Sequence, residues 1–288
     1  MNLRRASRKS YGAGSQGARR VGRKPRPERA TRGGSTPGAT KHAPARRGPL
    51  RSGPAAIERP SELTPRWPDV SGLLKRQPWD DLIPHLLRIG ADPAASTSRI
   101  RRYCELIIQW NRKVSNIISK NDEARIVARH VIESLEPARW LQDLGAKRWL
   151  DFGSGAGLPA IPLALCGIGN EWTLVESRRT KTLFLRKALE ELGMKNITVV
   201  HSRLEELLDA RDHSSSYDGF TSRATLPLAP TLAMAASFVQ PQGTAFLWKG
   251  SRREEEMAGD RSWLEKWDLE GLLGIGDGTT AVARFKRK

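Results

Sequence analysis

The chain has 288 residues, room for one or two domains, and a formal net charge of +18. Its two cysteines, Cys104 and Cys166, stand far apart in apolar stretches, and its five histidines (His42, His85, His130, His201, His213) show no metal-ligand spacing. A disulfide framework and a metal centre are therefore not expected, and a reducing cytosol is. No apolar run approaches the ~20 residues of a membrane span, and there is no signal-peptide core.

The charge is unevenly placed. Residues 1–66 hold 17 Lys+Arg against 3 Asp+Glu, a net +14, and the other 222 residues hold 32 against 28. The leading stretch is Arg, Gly, Pro, Ser and Ala, with Tyr11 its only aromatic before Trp67. It offers too little apolar area to offset chain entropy, so residues 1–68 read as a disordered basic tail. Such a tail suits RNA phosphates. A solvated extension, a mis-assigned start and an organelle transit peptide are the alternatives, although Gly and Pro argue against an amphipathic mitochondrial helix.

Residues 69–144 read as a helical cap. Leu82, Ile83, Leu86 and Leu87 form one apolar stripe, and Tyr103, Leu106, Ile107, Trp110 and Val114 another, at helical spacing. Ser96, Thr97 and Ser98 are N-cap candidates before Ile100. Further helices are expected over 122–135 and 137–144.

From 145 to 288 strands and helices alternate. Strands are expected at 148–152, 172–176, 197–201, 217–222, 244–248, 264–271 and 280–286, with helices at 159–166, 179–192, 204–209, 228–239 and 252–258. This alternation predicts an α/β fold, a Rossmann-like, mostly parallel seven-stranded sheet covered on both faces. Ligands in such sheets bind beyond the carboxyl ends of the strands, where Gly153, Glu176, Ser202 and Arg223 fall.

Residues 150–162 read LDFGSGAGLPAIP, a strand, a glycine turn and a helix start. Gly153, Gly155 and Gly157 would let backbone approach a ligand where any Cβ would collide. Leu158 stands where a dinucleotide site needs its third glycine, which disfavours a nicotinamide-dependent oxidoreductase. The acidic Asp151 followed by G-x-G-x-G is similar to motif I of S-adenosylmethionine-dependent methyltransferases. Glu176 ends the second strand and is placed to accept hydrogen bonds from both ribose hydroxyls, or to complement the dipole of the next helix. Leu204 and Glu205 follow the third strand, where an adenine slot or plain core and surface are both open readings.

The fourth strand ends in Ser222-Arg223-Ala224-Thr225, with no Asp, Glu or His to act as general base. An acceptor with a free lone pair, such as guanine N7, needs none. Arg223 would be repelled by a sulfonium, which leaves the methionine carboxylate, an RNA phosphate, guanine O6 or a structural acidic partner. Lys249 ends the fifth strand as a candidate phosphate contact; Arg178, Arg179 and Lys181 share one rim. In the cap, Arg129 and His130 stand at a helix start that faces either the cleft or solvent.

The segments WNRKVSN (110–116), ARHVIESL (128–135), LDFGSGAGLPAIPLAL (150–165), LVESRRTKTLFLRKALEEL (174–192), SRLEEL (202–207), YDGFTSRA (217–224) and LWKG (247–250) together resemble the RsmG (GidB) guanine-N7 methyltransferases of small-subunit ribosomal RNA. The resemblance spans about 100 to 250 and leaves the tail aside. It implies S-adenosylmethionine as cofactor, held at Gly153, Gly155, Gly157, Leu158, Glu176, Leu204, Glu205 and Arg223, with Arg223 also the catalytic candidate. It implies methyl transfer to a guanine N7 of 16S rRNA. A cytoplasmic monomer acting on free rRNA or the small subunit is expected, with Arg129, His130, Arg178, Lys181 and Lys249 as candidate RNA contacts. The departures are one extra residue between Trp110 and Asn116, no aromatic before Asn116, and Glu133 and Glu176 where the family commonly has Asp. A non-catalytic RNA-binding or ribosome-assembly factor on the same fold is the main alternative, and small-molecule methylation a further one.

Overall fold

The computed structural model describes residues 66–207 and 215–288. The expected disordered tail lies outside the described residues up to 65, as does the end of the expected helix 204–209. Trp67, inside the expected tail, stacks on Trp110 with ring centroids 6.2 Å apart.

The cap opens with α1 (Ser71–Lys75) and α2 (Ile83–Arg88) and is dominated by α3 (Pro93–Lys113). α3 begins three residues before the Ser96–Ser98 candidates. Asp92 Oδ1 accepts from the Ala95 amide at 2.7 Å, and Pro93 takes the first turn, where its missing N–H costs nothing. That pair is the stronger start signal and leaves Ser96 buried inside the helix. Tyr103, Leu106, Ile107 and Trp110 are buried as expected; Val114, past the last turn, is half exposed. In α2 only Leu86 packs inward; Leu82 just before it is buried too, whereas Ile83 and Leu87 face solvent.

The single helix expected over 122–135 is three pieces. A 3-10 turn covers Lys120–Arg125, a π-helix Val127–Ile132, and α4 covers Glu133–Leu135. Ile126, Val127, Val131 and Ile132 are all buried. They recur five residues apart, the spacing that the wider π turn stacks on one face. α5 (Ala138–Asp143) ends the cap.

The sheet comprises β1 (Arg148–Phe152), β2 (Glu171–Glu176), β3 (Ile197–His201), β4 (Tyr217–Arg223), β5 (Val239–Lys249), β6 (Trp267–Ile275) and β7 (Thr280–Arg287), in the order β3-β2-β1-β4-β5-β7-β6. All pairs are parallel except those of β7, which runs antiparallel to both β5 and β6. This is the expected mostly parallel seven-stranded sheet. β5 starts at Val239 rather than 244, directly after its helix, and β6 starts at Trp267 rather than 264. The residues before β6 form a 3-10 turn whose Trp263 packs edge-on against Phe285, at 5.3 Å. The connecting helices are α6 (Ala160–Leu165), α7 (Arg179–Glu191), α8 (Leu228–Phe238) and α9 (Arg253–Ala258).

Two apolar layers flank the sheet. Trp149 and Trp172, stacked at 5.3 Å, face one layer; Leu150, Phe220 and Leu247 face the other beneath α8. The first layer joins cap and body, because Tyr103, Ile107, Val131 and Leu135 cluster with Trp149, Ile161 and Leu185. The boundary expected at 144/145 therefore marks a change of secondary structure and not a break between cores. Among the described residues no helix is long and apolar enough to cross a membrane.

Candidate active site

β1 runs straight into the glycine turn. Gly153, Gly155 and Gly157 all have positive φ, at +69°, +58° and +91°, a region that side chains rarely adopt. The Gly153 and Ser154 amides donate to Val175 O at 2.9 and 3.2 Å, tying the turn to the end of β2. From the cap, the buried Tyr103 hydroxyl donates to Ala156 O at 2.6 Å. α3 thus supports the turn from behind, a role that a helical stripe alone did not disclose. The signal was available: a buried Tyr needs a partner for its hydroxyl.

The glycines serve three different ends. A Cβ on Gly157 would overlap Ile161 Cδ1, and one on Gly153 would overlap Thr225 Cγ2. A Cβ on Gly155 would meet nothing closer than 3.8 Å. The expectation that all three keep space for a ligand is corrected on this point: at 153 and 157 the excluded atom would strike protein.

A cleft of about 900 Å³ opens over the carboxyl ends of β1, β2 and β3. Its walls include Phe152, Gly153, Val175, Glu176, Leu204 and Glu205, with the cations Arg178, Lys181 and Arg203 on its rim. The expected Gly153, Glu176, Leu204 and Glu205 are therefore brought together. Glu176, 6% exposed, accepts from the Gly155 amide at 2.9 Å and the Arg178 amide at 2.8 Å, one on each carboxylate oxygen. Each oxygen keeps a lone pair for a further donor. Leu204 is buried against the second apolar layer while still facing the cleft. Ser202, expected at the ligand-binding end of the sheet, lines it too; Ser177, His201, Thr225 and Leu226 also line it and were not expected as site residues.

Beneath the turn Asp151 is fully buried. Thr221 Oγ1 donates to its Oδ1 at 2.6 Å, and Oδ2 has no hydrogen-bond partner among the described residues. Burial pushes the carboxyl up to about 7, with Glu176 adding to the rise and Thr221 and Ser154 opposing it.

The other expected site residues lie elsewhere. Gly155, Gly157 and Leu158 do not line the cleft; Gly155 reaches it only through its amide on Glu176, and Leu158 belongs to the first apolar layer. Arg223, at the end of β4, turns into the cap. Its Nη2 donates to Glu133 Oε2 at 2.7 Å and to Arg129 O at 2.9 Å. Burial lowers the guanidinium pKa, and the Glu133 charge works against that. Of the partners considered for Arg223, the structural acidic neighbour is the one it has. Arg129 holds the other oxygen of Glu133, and Trp248 Nε1 donates to the Glu133 carbonyl at 2.9 Å. Arg129 is thus part of a brace instead of an RNA track. His130 is mostly buried, its Nε2 3.5 Å from Asp122 Oδ2, and its pKa is pushed down to about 4 by burial and then by Arg223. Lys249 is buried as well, with Nζ 2.7 Å from Leu226 O and 2.9 Å from Glu256 Oε2. It braces the loop after β4. Only Arg178 and Lys181 of the expected RNA contacts stand on the cleft.

A second cleft of about 280 Å³ adjoins the first. It shares Thr225 and Leu226 and is bounded by Trp248, Lys249, Arg252 and Glu256. Ser222 and Thr225 are joined through their hydroxyls at 2.6 Å, and Ala224 has φ +55°. No carboxylate or imidazole of the β4 end faces the first cleft.

The profile of a family described as rRNA small subunit methyltransferase G (GidB) matches residues 96–270. The ribosomal RNA small subunit methyltransferase G of Xanthomonas euvesicatoria pv. vesicatoria is 34% identical over 191 residues, 66% of this chain and 82% of that protein. The protein of the same name from Chlorobium limicola is 34% identical over 155 residues, 54% of this chain and 68% of that one. Among solved structures, a SAM-dependent methyltransferase from Aquifex aeolicus aligns with a TM-score of 0.42 at 16% identity, over 54% of this chain and 91% of that chain. By the extent of the profile match and the identity to its members, this chain belongs to the rRNA small subunit methyltransferase G family.

Proposed function

We propose that this chain transfers a methyl group from S-adenosylmethionine to N7 of a guanine in 16S ribosomal RNA, acting as a cytoplasmic monomer. The observation that carries the reading is Glu176. Its carboxylate is fixed by two backbone amides at the mouth of a nucleoside-sized cleft, beside the glycine turn. When bound there, the cofactor supplies a methyl group activated by a sulfonium. Glu176 would take the ribose hydroxyls, and Leu204 and Phe152 would supply apolar surface for adenine. Glu205 is exposed on the 3-10 turn Glu205–Leu207, in reach of a polar edge.

The acceptor side fits a nucleophile that needs no deprotonation. Ser222, Arg223 and Thr225 offer no general base, the Glu256 carboxylate nearby is engaged by Lys249 and the Leu228 amide, and the N7 lone pair of guanine is free from the start. The smaller cleft past Thr225 and Leu226 is where an acceptor base would lie, and Arg178 and Lys181 suit its phosphates. The guanine must be unpaired or exposed, since the deep major groove of an RNA duplex hides N7. Arg223 acts here as a positioning residue, holding the end of β4 against the cap.

The test is incubation with tritiated S-adenosylmethionine and 16S rRNA, followed by mapping of the labelled base. The reading expects label at one guanine, lost on N7-specific cleavage chemistry. Absence of label on free rRNA and on small subunits alike overturns it.

A further inference from the structure

Among the described residues that line the smaller cleft, Glu256 of α9 is the only acid, and its side chain is 20% exposed. Its Oε2 accepts from the Leu228 amide at 2.8 Å and meets Lys249 Nζ at 2.9 Å. Leu228 opens α8, so the positive end of that helix adds to the hold. Lys249 is itself fixed, its Nζ donating to Leu226 O at 2.7 Å. The second oxygen, Oε1, accepts no hydrogen bond among the described residues and keeps its lone pairs. One oxygen is thus tied to the frame, and the other is spare in a cleft that also carries Thr225, Leu226 and Arg252.

A spare carboxylate oxygen limits what can lie against it. It repels an anionic group and takes N–H or O–H donors. The bases of RNA differ in what their pairing edges offer. Guanine has two neighbouring donors, N1–H and the N2 amino group. Adenine and cytosine each set one amino group beside an acceptor nitrogen, and uracil has one N–H between two carbonyls. Guanine alone can use both lone pairs of Oε1 without setting an acceptor against the charge. Its N7 lies on a different edge of the purine and stays free when the pairing edge is held. Leu226, 39% exposed, lines both clefts and offers apolar surface to the plane of a base. The volume of about 280 Å³ is near the ~300 Å³ lower limit of ligand clefts, which suits a single base.

We propose that Glu256 selects the acceptor base: its Oε1 accepts from N1–H and the N2 amino group of guanine, with N7 turned toward the larger cleft across Thr225 and Leu226. The inference rests on the reading of a guanine as methyl acceptor and adds to it the residue that sets specificity. A free N7 does not by itself distinguish the purines, since adenine has the same lone pair there. The donors on the pairing edge do distinguish them, and Glu256 is the group placed to read them. Arg252, exposed on the rim of the same cleft, suits the phosphate of that nucleotide. Glu176 and Glu256 are then counterparts, each a carboxylate anchored by backbone amide and open to one nucleoside.

The test uses the full-length protein and full-length Glu256→Gln, with S-adenosylhomocysteine present to fill the larger cleft. Guanosine, inosine and adenosine monophosphates are titrated into each by nuclear magnetic resonance. Inosine keeps N1–H and lacks the N2 amino group. The parent should bind the guanosine nucleotide about tenfold tighter than the inosine one, the usual worth of one hydrogen bond to a charged group, and the adenosine one more weakly still. In Glu256→Gln the amide oxygen can serve Leu228 and Lys249, which leaves N–H donors for the base. The preference for guanosine over inosine should then fall below about threefold. A purely structural role would weaken all the nucleotides together and keep the preference. Equal binding of the guanosine and inosine nucleotides by the parent overturns the proposal, and this comparison needs no variant to fold. A preference that survives in Glu256→Gln overturns it too. A parent that labels a guanine of 16S rRNA yet binds the two nucleotides alike keeps the methyltransferase reading and removes the role of Glu256. A parent that prefers guanosine through Glu256 and labels no rRNA keeps the base site and removes the methyltransferase reading.

Discussion

Glu176 and Arg223 end two strands of one sheet, and the structure handles their charges in opposite ways. Glu176 is held by backbone amides and faces the cleft. Arg223 is held by the carboxylate of Glu133, contributed by the cap, and faces away from it. Backbone donors fix a carboxylate without consuming its capacity, so Glu176 stays ready for a ligand. A side-chain ion pair buried between elements consumes both partners and acts as a brace. The ends of β1–β3 carry the larger open cleft; at the ends of β4 and β5, Arg223 and Lys249 are spent on holding cap, loop and sheet together.

Four substitutions break or sharpen that contrast, in falling order of effect. Gly157→Val puts a Cβ into Ile161 at a φ that valine avoids. Strain and overpacking together should cost about 3–5 kcal/mol, read as a large fall in the urea midpoint or as insoluble protein. Arg223→Ala leaves Glu133 buried with Arg129 alone and should cost ~3 kcal/mol in urea unfolding. Adding Glu133→Gln to it should restore part of that loss, which a double-mutant cycle would measure as coupling. Glu176→Ala should do the reverse: S-adenosylmethionine affinity falls about 100-fold by calorimetry, as expected for losing charged hydrogen bonds, with a smaller change in the urea midpoint. Equal effects of Arg223→Ala and Glu176→Ala on both readouts would erase the distinction.

The smallest effect is a pH dependence. Asp151 is an acid whose folded-state pKa is raised, to about 7. Its contribution to stability is complete below the ordinary Asp range near pH 4 and is lost as pH rises through about 7. Asp151→Asn can still accept from Thr221 and has no proton to lose. The melting temperature of the variant relative to the parent should therefore climb between pH 4 and 7 and level off above. A constant difference across that range would show that Asp151 does not titrate there.

The first half of this site was legible because its groups are neighbours of a local signal. The glycine turn fixes where β1 ends, and parallel pairing then fixes where Glu176 and the residues after β3 must stand. The brace was not legible. Arg223 and Glu133 are 90 residues apart in the chain, and nothing local tells an arginine whether its carboxylate partner is protein or substrate. Lys249 was read as a phosphate contact for the same reason, and Tyr103 only as core. The break in the helix over 122–135 was not legible either, because Val127, Val131 and Leu135 keep the four-residue spacing of an α-helix.

If the cleft walled by Gly153, Glu176 and Leu204 holds the adenosyl group, a bound nucleoside must seat there. A crystal structure with S-adenosylhomocysteine should show both ribose hydroxyls within hydrogen-bond distance of Glu176 and the purine against Leu204, with Arg223 still on Glu133. A nucleoside seated instead in the smaller cleft by Trp248 and Glu256, or Arg223 swung out to bind it, would rule this out.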